Sequence, residues 1–163
     1  LRDFDVLEEV LRTLDAERVE VHLVGVPDRF AEAVAGLGQV RRHVNLSDDA
    51  LRALYRSAGV FLLCMRGASG NNALLQALAV GSPIVCTDLE GTRSYVGASA
   101  ARFVPAQDPA MTSAAALEIL EDPNIQDELS RAARSTVEAH SLSALARRHW
   151  GVYRSLFTDA VDP

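Results

Sequence analysis

The sequence predicts an α/β fold: a Rossmann-like, doubly wound parallel sheet with helices on both faces and a helical carboxy-terminal tail. Three observations predict it. Short β-branched or wholly apolar runs alternate with stretches of helical periodicity between Val19 and Val104, the pattern of βαβ units. One run, Val60-Phe61-Leu62-Leu63-Cys64, has the length and branching of a fully buried strand. Beyond residue 108 only helical periodicity is left. There Asp108-Pro109 and Asp122-Pro123 each set a capping carboxylate before a proline at the first helical position.

The elements follow in order. Phe4, Leu7, Val10, Leu11 and Leu14 recur at helical spacing, so residues 3–16 form an amphipathic helix. Val19 to Val24 alternates and exits through Gly25-Val26-Pro27-Asp28, a strand and its turn. Residues 28–36 read as a short helix ended by Gly36 or Gly38, and Val40 to Val44 as a short strand. Ser47-Asp48-Asp49 caps a helix that carries Leu51, Leu54, Tyr55 and Ala58 on one face. Its two acids suit the positive end of the helix dipole. After the strand at 59–64 comes a loop rich in Gly and Asn, Arg66-Gly67-Ala68-Ser69-Gly70-Asn71. Asn72 to Val80 is apolar nearly all round, a buried helix that Gly81 stops and Pro83 follows into a strand at 83–87. Thr87-Asp88-Leu89-Glu90-Gly91-Thr92 leads into a short helix, and Ala101 to Val104 is the last strand. The final tail helix starts near Ser141 or Ser143 and places Leu142, Leu145, His149, Val152, Tyr153 and Leu156 at helical spacing. His149 is expected on its core side as a packing histidine, with Trp150 and Tyr153 packing too.

The chain opens on a helix. A doubly wound sheet of order 3-2-1-4-5-6 begins with its central strand, so the strands at 19–25 and 59–64 are expected to flank a vacant slot. The first strand is then expected upstream of residue 1. A single gapless sheet would contradict this.

Bulk properties narrow the function. With 163 residues, 48 % hydrophobic and 23 % charged, the chain suits one domain, residues 1–163. Sixteen Lys and Arg against 22 Asp and Glu give a formal charge of −6, which disfavours a nucleic-acid surface. No apolar run is long enough to span a bilayer. Cys64 and Cys86 end two strands and read as a reduced cytosolic pair. His22, His43, His140 and His149 show no metal spacing, and no metal site is expected. Asp88 and Glu90 read as residues bracketing a turn.

The loop before the buried helix is the candidate site. A loop that leaves the carboxyl end of a parallel strand and opens a helix is a ready anion seat, because the first helical N–H groups lack partners. Asn71 or Asn72 is the expected N-cap, and Gln76 on that apolar helix needs a partner if buried. Arg66 reads as a solvated loop charge or a phosphate ligand.

Five segments fall in one order: Phe4 to Leu7, Ser47 to Ala58, Leu74 to Val85, Thr87 to Gly91 and Ser141 to Phe157. Together they resemble the carboxy-terminal, donor-binding domain of group 1 (family 4) glycosyltransferases of GT-B fold, over nearly the whole chain. The resemblance implies transfer of a sugar from a UDP- or GDP-type nucleotide-sugar to an acceptor hydroxyl, with retention and without a bound metal or other cofactor. It implies a partner, the amino-terminal domain of the same polypeptide, that holds the acceptor and to which the last helix crosses back, so part of the face with Trp150 and Tyr153 is expected to be exposed. A cytoplasmic place, at most peripheral to the inner membrane face, goes with it.

The family's signature, a Glu, seven residues and a second Glu, falls on Ala68 and Gln76. Both carboxylates are missing, although the Gln76 amide oxygen can still accept one hydrogen bond from a ribose hydroxyl. Gly70, Asn71, Asn72 and Ala73 match the loop whose amides meet the donor's sugar and diphosphate. Arg2 aligns with a family lysine that neutralises the phosphates, and Arg66 is a local substitute for a second basic residue. The base is expected near Gly25-Val26 and Asn45-Leu46. Two other readings compete. A degenerate, non-catalytic GT-B module accounts for the lost glutamates. A sugar-nucleotide epimerase needs paired acids and His that this half does not supply.

Overall fold

The computed structural model describes residues 2–14, 18–67, 71–138 and 140–158. The elements run in the order α1 (Phe4–Thr13), β1 (Val21–Val24), α2 (Asp28–Ala33), β2 (Val40–His43), α3 (Asp48–Ser57), β3 (Phe61–Leu63) and α4 (Asn72–Val80). They continue with β4 (Ile84–Thr87), α5 (Glu90–Val96), β5 (Arg102–Val104), α6 (Pro109–Glu121), α7 (Pro123–Glu138) and α8 (Leu142–Thr158). Each expected strand and helix is found, with shorter strands and an α1 that stops at Thr13.

Local chemistry accounts for the boundaries. Asp3 caps α1 by accepting the Val6 N–H, Ser47 caps α3 at Ala50, and Asp108 caps α6 at Met111. Gly81 ends α4 in the left-handed region at φ 79°, where a side chain is strained.

The paired strands all run parallel among the described residues. β1 pairs with β2 (Val21 opposite Val40), β3 with β4 (Phe61 opposite Ile84) and β4 with β5 (Val85 opposite Arg102). The strands form two separate sheets, β1-β2 and β3-β4-β5. Between β1 and β3 lies the expected slot.

Period-two alternation sends the side chains to two helical layers. Phe61, Leu63, Ile84, Cys86 and Phe103 pack in the cluster that holds Leu74 and Leu78 of α4, Val96 of α5 and Ala133 of α7. Val60, Leu62, Val85 and Val104 pack in the cluster of Ile119 (α6) and Leu129 (α7). A third cluster joins Val10 and Leu11 of α1, and Leu14 just after it, to Leu23 of β1 and Phe30 of α2.

Cys64 and Cys86 are free and buried. Burial pushes both thiols up to about 12; the Asp3 charge adds to it at Cys64, and Asp88 at Cys86. Two results follow. Native protein at pH 8 resists iodoacetamide at both positions, while urea-unfolded protein is alkylated at both, as peptide mass spectrometry reads. A thiol whose folded value lies above its unfolded 9.0 supports the fold fully below pH 9. That support is lost as pH climbs from 9 towards 12.

The tail departs from expectation. His149 is exposed, and Trp150 and Tyr153 are 66 % and 58 % exposed. They do not pack. The periodicity of α8 is real, but its apolar face meets nothing among the described residues that would bury it.

Candidate functional site at the carboxyl edge

The carboxyl ends of β1 and β3 share one open cavity of about 520 Å³ with the slot between them. Arg2, Gly25, Val26, Cys64, Ala73 and Gln76 stand on its wall. This is the edge where open α/β sheets take ligands.

The mouth of α4 opens here. Asn71 is extended (φ −124°, ψ 102°) and its Oδ1 accepts the Leu74 N–H at 3.2 Å. Its amide nitrogen lies 3.8 Å from Met65 Sδ, which fixes the side chain's orientation. The cap takes one of the first-turn donors. Those of Asn72 and Ala73 have no acceptor within the helix. Behind the mouth, the hydroxyl of half-buried Tyr55 donates to Ala73 O at 3.4 Å, tying α3 to α4. Burial raises the Tyr55 hydroxyl's pKa, and the Arg2 charge opposes that rise.

Met65, just after β3, donates its N–H to Thr87 Oγ1 at 2.9 Å. Thr92 donates in turn to Thr87 O at 2.7 Å, so the edges of β3 and β4 are locked together. Beside them Asp88 pairs with Arg93 (2.7 Å from Nη2 to Oδ2), which also lies 4.4 Å over the Phe103 ring. That pairing holds the Asp88 carboxyl below its ordinary range. Asp88 and Glu90 bracket the turn into α5, as expected.

The expected site residues divide as follows. Arg2 is exposed, lies on the cavity wall and forms an antiparallel bridge with Met65. Asn71 is the cap, and Asn72 and Ala73 open the helix. Gln76 is exposed on the cavity wall one turn further on, so it needs no buried partner. Ala68 and Gly70 lie outside the described residues. Arg66 is engaged: its Nε lies 3.0 Å from Asp3 Oδ1, and Nη2 pairs with Asp5. Asp3 is 3 % exposed, so this carboxylate both caps α1 and holds the arginine that starts the loop. Asp3 and Asp5 were missed as partners of Arg66 because they precede it by some sixty residues. Asp3 carried a legible signal, an aspartate one residue before an amphipathic helix.

A second pair was missed. His22 Nδ1 lies 2.8 Å from His43 Nε2, with Glu20 3.9 Å from His22. The parallel register, Val24 opposite His43, makes them diagonal neighbours.

With this geometry in view, the similarities to known proteins are specific. Residues 3–122 match the family model for glycosyl transferases group 1. The chain belongs to that family. The group 1 domain is 26 % identical over 159 residues to a phosphatidyl-myo-inositol mannosyltransferase of Mycobacterium leprae, covering 94 % of this chain and 42 % of that protein. It is 29 % identical over 143 residues to the protein of the same description from Mycolicibacterium smegmatis, covering 85 % and 37 %. The group 1 domain thus spans less than half the length of these curated relatives. Among solved structures it matches a glycosyltransferase from Rickettsia africae with a TM-score of 0.81 at 17 % identity, over 94 % of this chain and 44 % of that one. It matches sucrose-phosphate synthase from Thermosynechococcus elongatus at 0.78 and 21 %, over 97 % and 43 %. These likenesses show the GT-B type of fold for the group 1 domain. No described helix is long and apolar enough to cross a membrane.

Proposed function

We propose that this domain is the donor-binding half of a glycosyltransferase that moves a sugar from a UDP- or GDP-type nucleotide to an acceptor hydroxyl, with retention. The observation that carries the reading is the mouth of α4. The helix opens at Asn72, and Ala73 and Gln76 stand on a cavity whose wall also holds Arg2.

A diphosphate seated there meets the positive end of a helix and a guanidinium. As the glycosyl bond lengthens, negative charge grows on the leaving phosphate, and fixed donors aimed at it lower the barrier. A helix terminus supplies about 0.3–1 kcal/mol when exposed and up to ~2 when partly buried, so Arg2 carries a share. Gln76, one turn further along the helix, offers its amide oxygen to a ribose hydroxyl. Arg66 acts on the loop through Asp3 and Asp5 rather than as a free phosphate ligand. The domain is the whole of residues 1–163. It works in the cytoplasm with an amino-terminal domain of the same polypeptide, which supplies the acceptor, and turns over nothing without it.

Because its curated relatives are named mannosyltransferases, GDP-mannose is the first donor to try, with UDP-glucose beside it. Full-length protein is expected to release the nucleoside diphosphate from one of them, and residues 1–163 alone to release none. Failure of the full-length protein with a panel of UDP- and GDP-sugars contradicts the reading.

The absence of both signature carboxylates favours a second reading, a degenerate module that binds without catalysis. Ala68→Glu with Gln76→Glu in the full-length protein separates the two. A large gain in donor turnover supports the degenerate module, and a loss supports an active site suited to its present residues.

A further inference from the structure

The cation and the helix mouth that would share a diphosphate come from segments far apart in sequence. Arg2 stands just before α1, and Asn72 and Ala73 open α4. A short bridge at the carboxyl end of β3 sets their spacing. Asp3 N–H donates to Cys64 O at 2.9 Å, and Arg2 pairs with Met65 in the antiparallel sense. Buried Met65 carries the link onward. Its N–H is held by Thr87 Oγ1 at 2.9 Å, and its Sδ lies 3.8 Å from Nδ2 of Asn71, the cap of α4. Arg2, Met65 and Asn71 thus form one row of contacts.

Arg66 fastens this row from its side chain. Its Nε lies 3.0 Å from Asp3 Oδ1, and its Nη2 pairs with Asp5. The two jaws of the clasp are unequal. Asp5 is largely exposed, so water screens its pairing. Asp3 is buried, and among the described residues its side chain otherwise accepts only the Val6 N–H, at a long 3.4 Å. A buried carboxylate stripped of its cation is far more costly than the intact pair. Asp3 directly follows Arg2 in the chain. Any shift that takes its carboxylate out to water therefore carries Arg2 along and opens the bridge to Met65.

We propose that Asp3 and Arg66 are positioning residues for the diphosphate seat: their ion pair pins Arg2 at a fixed distance from the mouth of α4, and Arg66 influences the phosphates only through Asp3. The effect on affinity rests on the donor-binding reading; the clasp itself does not.

The test is a double-mutant cycle in the full-length polypeptide, read by titration with UDP and GDP. Arg66→Ala is expected to weaken binding about tenfold, because it leaves the Asp3 carboxylate buried and alone. Asp3→Ser keeps a capping oxygen for α1 and removes the buried charge, and is expected to cost about threefold. The double variant should bind no worse than Asp3→Ser alone, since partners in one ion pair are not additive and the second change relieves the first. Losses that multiply, to about thirtyfold, would show Arg66 acting on the ligand by itself and would overturn the proposal. Exposed Asp5→Asn supplies a variant that keeps the fold whatever Arg66→Ala does. Slightly weaker binding is expected from it, and tighter binding would mean that the clasp withholds Arg66 from the phosphates, which also overturns the proposal.

Amide spectra of the nucleotide-free proteins decide the clasp independently. In Arg66→Ala the amides of Arg2, Met65 and Asn72 are expected to shift, and in the double variant to return to their places in Asp3→Ser. Unmoved amides at these three residues would overturn the proposal. If the unaltered protein binds neither nucleotide, the donor reading fails while these spectra still decide the clasp.

Discussion

Leu78→Ala is expected to destabilise the domain by about 2–5 kcal/mol, the range for truncating a fully buried leucine. Leu78 is 0 % exposed and shares a cluster with Leu63, Ile84, Cys86 and Ala133. It therefore sits where α4 meets both the sheet and α7, and little around it can close over the space left. For a chain of this size each kcal/mol lowers the melting temperature by roughly 2–4 °C. Gln76→Ala, two residues away on the exposed side of the same helix, should stay within about ±0.5 kcal/mol. Calorimetry of the two variants checks that α4 is a core helix with one functional edge. Equal, small effects would contradict the packing described here.

Asn72→Pro is expected to weaken nucleoside-diphosphate binding about tenfold while leaving the fold intact. Asn72 is the first helical residue, where proline is well accommodated. Asn71 before it already has the extended backbone that a following proline demands (φ −124°, ψ 102°). The substitution therefore deletes one N–H from the mouth without breaking the helix. A hydrogen bond to a charged acceptor contributes about 1.5–3 kcal/mol, and 1.4 kcal/mol is a factor of ten. Asn72→Ala keeps the amide and should bind nearly as well as the unaltered protein. Titration calorimetry with UDP and GDP compares the three. A proline variant that binds unimpaired would remove the backbone amide from the account.

Much of this architecture was legible in the residues because local and global signals agree. Asp108-Pro109 starts a helix by capping chemistry alone, and the Asp108 carboxylate does bond Met111 N–H at 2.8 Å. The apolar run at Val60 to Cys64 needs both faces covered, and two helical layers cover them. The separation of β1-β2 from β3-β4-β5 was legible too, from the strand order of a doubly wound sheet. What stayed hidden is whatever depends on distant partners. Arg66 read as a solvated loop charge or a phosphate ligand, yet its partners are Asp3 and Asp5 at the start of α1. The contact of His22 with His43 depends on the register of β1 against β2, which neither strand states alone. His149 and Tyr153 lie on a periodic face of α8, but period reveals that a face exists and not what covers it. Gln76 was judged by the apolar company it keeps in sequence, whereas the turn of the helix puts it on the cavity wall.

The central claim is that unpaired amides at the start of α4 seat the diphosphate of a sugar donor. The most direct measurement is an amide-resolved NMR titration of the full-length protein with UDP and with GDP. Saturable shifts at Asn72 and Ala73, extending to Gln76, are predicted for at least one nucleotide. No shift at these residues with either one, at millimolar concentration, would contradict the claim.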